Sequence, residues 1–379
     1  MKIVLTGGGS GGHFYPLVAV AEALETIAVE KKLLEPKWTY IGPEPFDRSA
    51  LSEHDIEYVP SPAGKMRRYA SMFNVIDLFK TAIGVLRSIT LLFRIFPDVV
   101  FSTGGFAAFP TLFAAKTLGI PVVMYDADAK PGRVSLWASG FARWIALSHA
   151  EAAAAFPTRD QKKIACVGHP IRKEIETPAK EGGHEFLKLS ADVPTIFIIG
   201  GSQGASAIND AVIDALPTLV ERYNVVHQVG RDNFKEVSGI AAVVLKGLRY
   251  EDRYRCYGLL NVLAMRMITG ISSLIVSRAG SGSIFEIATW RIPAILVPIP
   301  LDVSHDQTEN AFSYARIGGC TVIEQANLKP HVLIAEIDRI MQDPALQENM
   351  RAAGRSYSHP DAAKKIAQII IETALEHTN

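Results

Sequence analysis

The sequence predicts an α/β protein made of two doubly wound domains, each a parallel sheet with helices on both faces. Three observations carry this expectation. Short apolar runs alternate with longer helical patterns throughout the 379 residues. Several of those runs are continuously apolar, as strands buried on both faces require. A strand, a glycine-rich loop and a helix open the chain, and the same series recurs near its middle. At about 150 residues per domain, the length also suits two domains.

The first strand, Lys2–Leu5, runs into Gly7-Gly8-Gly9-Ser10-Gly11-Gly12. That apolar run is too short for a signal-peptide core and reads as a strand. Further strands are expected at Trp38–Ile41, Val99–Ser102, Val122–Tyr125, Trp144–Leu147 and Ile164–Val167. The polar, glycine-containing stretch Thr177-Pro178-Ala179-Lys180-Glu181-Gly182-Gly183 reads as a linker. A second series follows at Thr195–Ile199, Asn224–Gln228, Val243–Leu245, Ser273–Val276, Ala294–Val297 and Thr321–Ile323. The expected domains are residues 1–167 and 168–355, with 356–379 as a final helical segment.

Composition narrows the function. Hydrophobic residues at 48% and charged residues at 21% exclude a disordered chain. Lys+Arg and Asp+Glu balance at 39 each, so no overall charge draws the protein to nucleic acid. Three scattered cysteines, Cys166, Cys256 and Cys320, suit a reducing cytoplasm better than a disulfide scaffold or a structural zinc site. The neutral total hides one uneven segment. Between Ser61 and Phe96 stand Lys65, Arg67, Arg68, Lys80, Arg87 and Arg94 against a single acid, Asp77. Lys80, Arg87 and Arg94 are spaced to share a helix face, with Leu78, Phe79, Ile83, Leu86 and Phe93 between them. Such a helix either buries its apolar residues in the domain or lies against an anionic leaflet. It is too interrupted to span a membrane.

Three glycine loops point to phosphate. Glycine after a strand permits close ligand approach, and the next helix offers unpaired N–H groups and a positive dipole end. The loops are Gly7–Gly12, Gly200-Gly201-Ser202-Gln203-Gly204 and Arg278-Ala279-Gly280-Ser281-Gly282-Ser283. Gly7-x-Gly9-x-x-Gly12 matches a dinucleotide fingerprint, but the nearest acid past the second strand, Glu44, lies too far on. His13 follows the first loop directly, where it serves as a base or a donor, or simply starts a helix; imidazoles titrate near neutrality. Glu286, about one turn into the helix after the third loop, can accept from ribose hydroxyls. Asp126-Ala127-Asp128 spells a D-x-D pattern that could hold Mg²⁺, although three residues match by chance easily.

These motifs resemble the MurG family of peptidoglycan glycosyltransferases. The resemblance rests on Gly8-Gly9-Ser10-Gly11-Gly12-His13 with Pro16, Gly104-Gly105-Phe106, Gly168-His169-Pro170-Ile171-Arg172, Gly200–Gly204, Ser277-Arg278-Ala279-Gly280 and Asp306-Gln307-Thr308-Glu309-Asn310. It implies the GT-B fold, two Rossmann-like domains facing across a cleft, with the last helix crossing back to the first domain. It also implies transfer of N-acetylglucosamine from UDP-N-acetylglucosamine to lipid I, the undecaprenyl-diphosphate-linked muramoyl-pentapeptide, giving lipid II with inversion. Position by position, it makes Glu286 a ribose ligand and places Ser281, Gly282 and Ser283 at the nucleotide sugar. Val262 corresponds to the uracil contact and Gln307 to the sugar contact, while Ser202 and Arg172 stand near the donor diphosphate. Ser10, Gly11, Gly12 and His13 form the acceptor wall. The chain departs from the family at Tyr125-Asp126-Ala127-Asp128, where His-Glu-Gln-Asn is usual, at Phe106 for tyrosine, and at His169 for asparagine.

The expected base is His13, with Asp126 second and Asp128 near the sugar. No cofactor or essential metal is expected. The expected partners are UDP-N-acetylglucosamine, lipid I and an anionic membrane surface, which places the protein peripherally on the cytoplasmic face of the inner membrane. The alternatives are another UDP-sugar enzyme, with a different acceptor or epimerase activity, and a catalytically silent UDP-sugar-binding protein.

Overall fold

A computed structural model describes residues 1–65, 72–200, 205–300 and 307–378. The chain divides into two compact units, Met1–Arg172 with His359–Asn379, and Lys173–Ser358. The division thus falls a few residues beyond the expected 167/168 boundary, and the final segment begins at His359.

The first unit is built on seven parallel strands: β1 Lys2–Thr6, β2 Lys37–Gly42, β3 Glu57–Pro60, β4 Val99–Ser102, β5 Val122–Asp126, β6 Trp144–Leu147 and β7 Ile164–Cys166. Their order is β3-β2-β1-β4-β5-β6-β7, with Ile3 in register with both Trp38 and Val99. The strand order therefore reverses between β1 and β4, and the loops leaving these two strands part at one point of the carboxyl edge. One sheet face packs Ile3, Leu5, Phe101 and Tyr125 against Phe14 and Leu17 of helix Gly11–Glu30 and against Ile366, Ile370 and Ile371 of helix Ala362–Thr378. The other packs Val4, Val100, Met124 and Leu147 against Leu92 and Leu112. The last helix completes the first core, so the sequence-distant His359–Asn379 segment belongs to this unit. Gly168, at φ +87°, lies so close to His359 that an added Cβ would stand 2.2 Å from its Cβ.

Helix Met72–Ile95 is amphipathic in an unusual sense. It buries a narrow stripe of Gly84, Ser88 and Leu92, with the Ser88 hydroxyl 3.0 Å from that of Ser61. Its large apolar side chains face outward: Leu78, Phe79, Ile83, Leu86 and Phe93 are 59–72% exposed. Lys80, Arg87 and Arg94 are exposed with them. Arg67 and Arg68 lie outside the described residues.

The second unit carries six parallel strands, β8 Thr195–Ile199, β9 Asn224–Gln228, β10 Tyr254–Tyr257, β11 Ser272–Ser277, β12 Ala294–Leu296 and β13 Thr321–Val322, in the order β10-β9-β8-β11-β12-β13. Its switch point lies between β8 and β11. Ile196, Ile198 and Val276 pack with Val212, Leu216, Leu333 and Ile337 from the flanking helices.

One expected strand is corrected. Val243–Leu245 ends helix Phe234–Leu245, where Val237, Ala241 and Leu245 are buried at helical spacing and Val243 is 76% exposed. The edge strand of this sheet is β10 instead, whose Tyr-Arg-Cys-Tyr sequence lacks a continuous apolar run. The edge strand β3 was likewise absent from the expected series.

Ile370 is fully buried in the first core. Ile370→Ala should therefore cost this unit about 2–5 kcal/mol, read as a fall in its urea midpoint. An unchanged midpoint would mean that the last helix is not part of this core.

Candidate active site

The first unit's site grows from its switch point. Gly7, Gly8 and Gly9 have φ values of 154°, 113° and 96°, and at Gly7 an added Cβ would stand 2.0 Å from Thr103 Oγ1. Glycine is what lets this loop turn against the loop after β4. The Thr103 N–H donates to the Thr6 carbonyl at 3.1 Å, continuing the β1–β4 ladder. Helix Gly11–Glu30 then begins, with Ser10 as its extended N-cap residue and Gly11, Gly12 and His13 in its first turn.

His13 is held from both ends. Thr103 Oγ1 donates to the His13 carbonyl at 2.6 Å, and His13 Nδ1 lies 2.9 Å from the Thr103 carbonyl. A carbonyl only accepts, so Nδ1 carries the proton and neutral His13 keeps its lone pair on Nε2. The sequence motifs included Gly104 and Gly105 but not Thr103. Its only signal was its place, directly after a strand and before two glycines.

Asp126 ends β5. Its Oδ1 accepts from the Asp128 N–H at 3.1 Å and its Oδ2 from the Gly132 N–H at 3.3 Å, folding the following loop onto its own carboxyl. Burial, with Asp128 adding like-charge repulsion, raises the Asp126 pKa to about 6. The geometry makes Asp126 a loop-ordering residue, and it leaves the partly exposed Asp128 as the carboxylate nearer solvent. Ser148 Oγ donates to the Ala127 carbonyl at 2.5 Å from the next strand over. Among the described residues, no group of three His, Cys, Asp or Glu side chains is placed to hold a metal ion.

Arg172 is the last residue of the first unit. Its guanidinium stacks 3.8 Å above the Tyr15 ring, two residues beyond His13, and its buried Nε has no hydrogen-bond partner among the described residues. Sequence reasoning placed Arg172 with the donor groups and did not single out Tyr15.

In the second unit the carboxyl edge gathers the other candidates. After β11, Gly280 caps helix Ser281–Trp290, which begins with Ser281, Gly282 and Ser283 and carries Glu286 one turn in. Gln307 braces this loop: its Oε1 accepts from the N–H groups of Ala279 at 3.1 Å and Ile299 at 3.2 Å. That commits the amide oxygen internally and leaves Nε2 as the donor end. The nearby Asn310 donates to the Ala279 carbonyl at 3.4 Å. Val262 opens the helix after β10, two strands from β8 on the same edge, where Asn261 Oδ1 accepts from the Ala264 N–H at 2.8 Å. Ser202 and Asp306 lie outside the described residues.

Models of the glycosyltransferase family 28 N-terminal and C-terminal domains match residues 3–147 and 195–366. The chain belongs to glycosyltransferase family 28. A Treponema denticola protein named UDP-N-acetylglucosamine--N-acetylmuramyl-(pentapeptide) pyrophosphoryl-undecaprenol N-acetylglucosamine transferase is 34% identical over 96% of this chain and 93% of its own length. A Bacillus cereus relative with the same name, numbered 2, is 32% identical over 98% and 99%. Among solved structures, Acinetobacter baumannii MurG is similar with a TM-score of 0.71 and 23% identity, covering 98% of this chain and 99% of that one. The S. aureus MnaA–UDP co-structure reaches 0.72 at 15% identity, covering 100% and 98%, which shows a shared fold alone. As a family 28 member the protein is a glycosyltransferase, and its two parallel α/β units have the GT-B organisation.

The Asp126 carboxyl gives the first unit a pH signature. Unfolded aspartate titrates near 3.8, whereas folded Asp126 keeps its proton up to about 6, so the native state binds more protons over that interval. The stability contributed by neutral Asp126 is complete below the lower value and is lost as pH rises through the upper one. Urea unfolding across this interval should show a decline in the wild type that Asp126→Asn flattens; parallel profiles would reject the assignment.

Proposed function

We propose that the protein transfers N-acetylglucosamine from UDP-N-acetylglucosamine to the C4 hydroxyl of the muramoyl-pentapeptide of lipid I, forming lipid II. The relatives' shared activity supports these substrates. The observation that carries the catalytic assignment is the His13–Thr103 pair, which commits Nδ1–H to a carbonyl and leaves Nε2 as the ring nitrogen available to take up a proton. His13 takes the acceptor hydroxyl proton as that oxygen attacks the anomeric carbon. The bond to the diphosphate breaks on the opposite face, the configuration inverts, and UDP leaves with the electron pair. Positive charge for the leaving diphosphate comes from helix N-termini and the Arg172 guanidinium.

Donor recognition falls to the second unit. Glu286 accepts from ribose hydroxyls, Val262 contacts uracil through its backbone, and Gln307 Nε2 donates to the sugar. Ser202, Ser281, Gly282 and Ser283 line the diphosphate and sugar. Ser10, Gly11, Gly12 and Asp128 serve the acceptor. The reaction so described uses no divalent cation, since the D-x-D carboxylate at Asp126 is engaged by its own loop.

The test is transfer of labelled N-acetylglucosamine from its UDP ester to a short-chain lipid I analogue, with and without EDTA. We expect a disaccharide product that EDTA does not diminish. An altered UDP-sugar without acceptor would indicate an epimerase, and no turnover on any acceptor would indicate a silent binding protein. His13→Ala should lower kcat by about 10²- to 10⁴-fold while UDP-N-acetylglucosamine binding survives. Wild-type turnover in that variant would remove His13 from the mechanism.

The lipid-linked acceptor also explains the outward-facing helix. We place the enzyme peripherally at the cytoplasmic face of the inner membrane, where a water-soluble nucleotide sugar and a lipid-linked sugar meet. Helix Met72–Ile95 supplies both requirements of interfacial binding, large exposed apolar residues and a cationic fringe of Lys80, Arg87 and Arg94. The paired substitutions Phe79→Ser and Leu86→Ser should abolish sedimentation with anionic vesicles without lowering turnover on a detergent-soluble acceptor. Unchanged sedimentation would move the contact elsewhere.

A further inference from the structure

Two of the three segments that depart from the motifs of the resembled family meet in one buried hydrogen bond. Tyr125, at the end of β5, is fully buried, and its hydroxyl lies 2.7 Å from Nδ1 of His169 in the segment after β7. The rings meet edge to face with centroids 5.9 Å apart. β5 and β7 are not neighbours, so the contact bridges the carboxyl edge across β6.

Ser148 ties this contact to the loop after β5. Ser148 on the segment after β6 has one hydroxyl proton, and it goes to the Ala127 carbonyl at 2.5 Å. Ser148 also bonds to the Tyr125 hydroxyl. The imidazole is neutral, because burial holds its pKa down near 3, with His149 pushing the same way and Asp128 opposing. A line of hydrogen-bonded groups thus runs from His169 through Tyr125 and Ser148 to the backbone at Ala127. That backbone lies between Asp126, which anchors the loop, and Asp128, which faces the acceptor in the reading above.

We propose that Tyr125 and His169 are a matched positioning pair that sets how the Asp126–Gly132 loop leaves β5, and so holds Asp128 for acceptor binding. Neither touches substrate. The proposal rests on the acceptor-side assignment of Asp128. It also accounts for the two departures together: Tyr125 and His169 form one unit, each supplying the group the other needs.

The test compares Tyr125→Phe, Tyr125→His, His169→Asn and the double variant Tyr125→His/His169→Asn, which carries the residues the family resemblance gives at these positions. Steady-state constants are measured for both substrates, with thermal midpoints alongside. Each single change should raise KM for the lipid I analogue about tenfold and leave KM for UDP-N-acetylglucosamine unchanged. The double variant should recover most of the loss. Wild-type acceptor KM in the single variants, equal losses for both substrates, or a double variant as impaired as the product of the singles would each overturn the pairing. If His169→Asn does not fold, Tyr125→Phe, which keeps the ring, decides by the same criterion. Wild-type turnover on lipid I is the control that separates this idea from the proposed function. Its absence removes the transferase reading, whereas its presence with unmoved acceptor constants removes only the pair.

Discussion

The reciprocal pair between His13 and Thr103 is the constraint from which the rest of the first site follows. Two loops leave neighbouring strands at the switch point, and each lends the other one hydrogen bond. For them to come this close, Gly7 must lack a Cβ, and the three opening glycines must hold positive φ. Behind them the fully buried Tyr40 donates to the Gly7 carbonyl at 2.7 Å, so the turn is braced from the core side as well. The imidazole orientation is therefore inherited from the sheet, not from the flexibility of a surface side chain.

The second unit solves the same geometric problem with different chemistry. There the brace stands one strand away from the switch point, between the loops after β11 and β12, and it is a neutral amide. Gln307 Oε1 spans two backbone N–H groups from separate loops. An amide suits a site that must recognise sugar hydroxyls without adding charge beside a diphosphate. An imidazole suits one that must take up a proton. The two halves thus share a topology and brace their loops with different side chains.

Much of this was legible in the sequence because parallel strands buried on both faces are continuous apolar runs. Thr195–Ile199 and Val99–Ser102 appear at the boundaries their hydrophobicity implies. Two of the four edge strands were hidden for the same reason: Glu57–Pro60 and Tyr254–Tyr257 are only partly buried and carry polar residues, so neither is a continuous apolar run. Val243–Leu245 misled because three β-formers at a helix end look like a strand until burial is known. In the site, glycines and His13 announced themselves by pattern. Thr103 and the double role of Gln307 did not, since each depends on a backbone partner that is distant in sequence. The Tyr125–His169 contact was equally invisible, although both residues had drawn notice as departures.

The last helix has a consequence for how the protein is made. Ile366, Ile370 and Ile371 fill the core begun by Ile3 and Leu5, so the first unit lacks part of its interior until the final residues are synthesised. The second unit, Lys173–Ser358, is complete earlier on the ribosome. The usual order of co-translational folding, amino-terminal part first, is therefore reversed here. The nascent first sheet waits with part of one apolar face uncovered until residues 362–378 emerge.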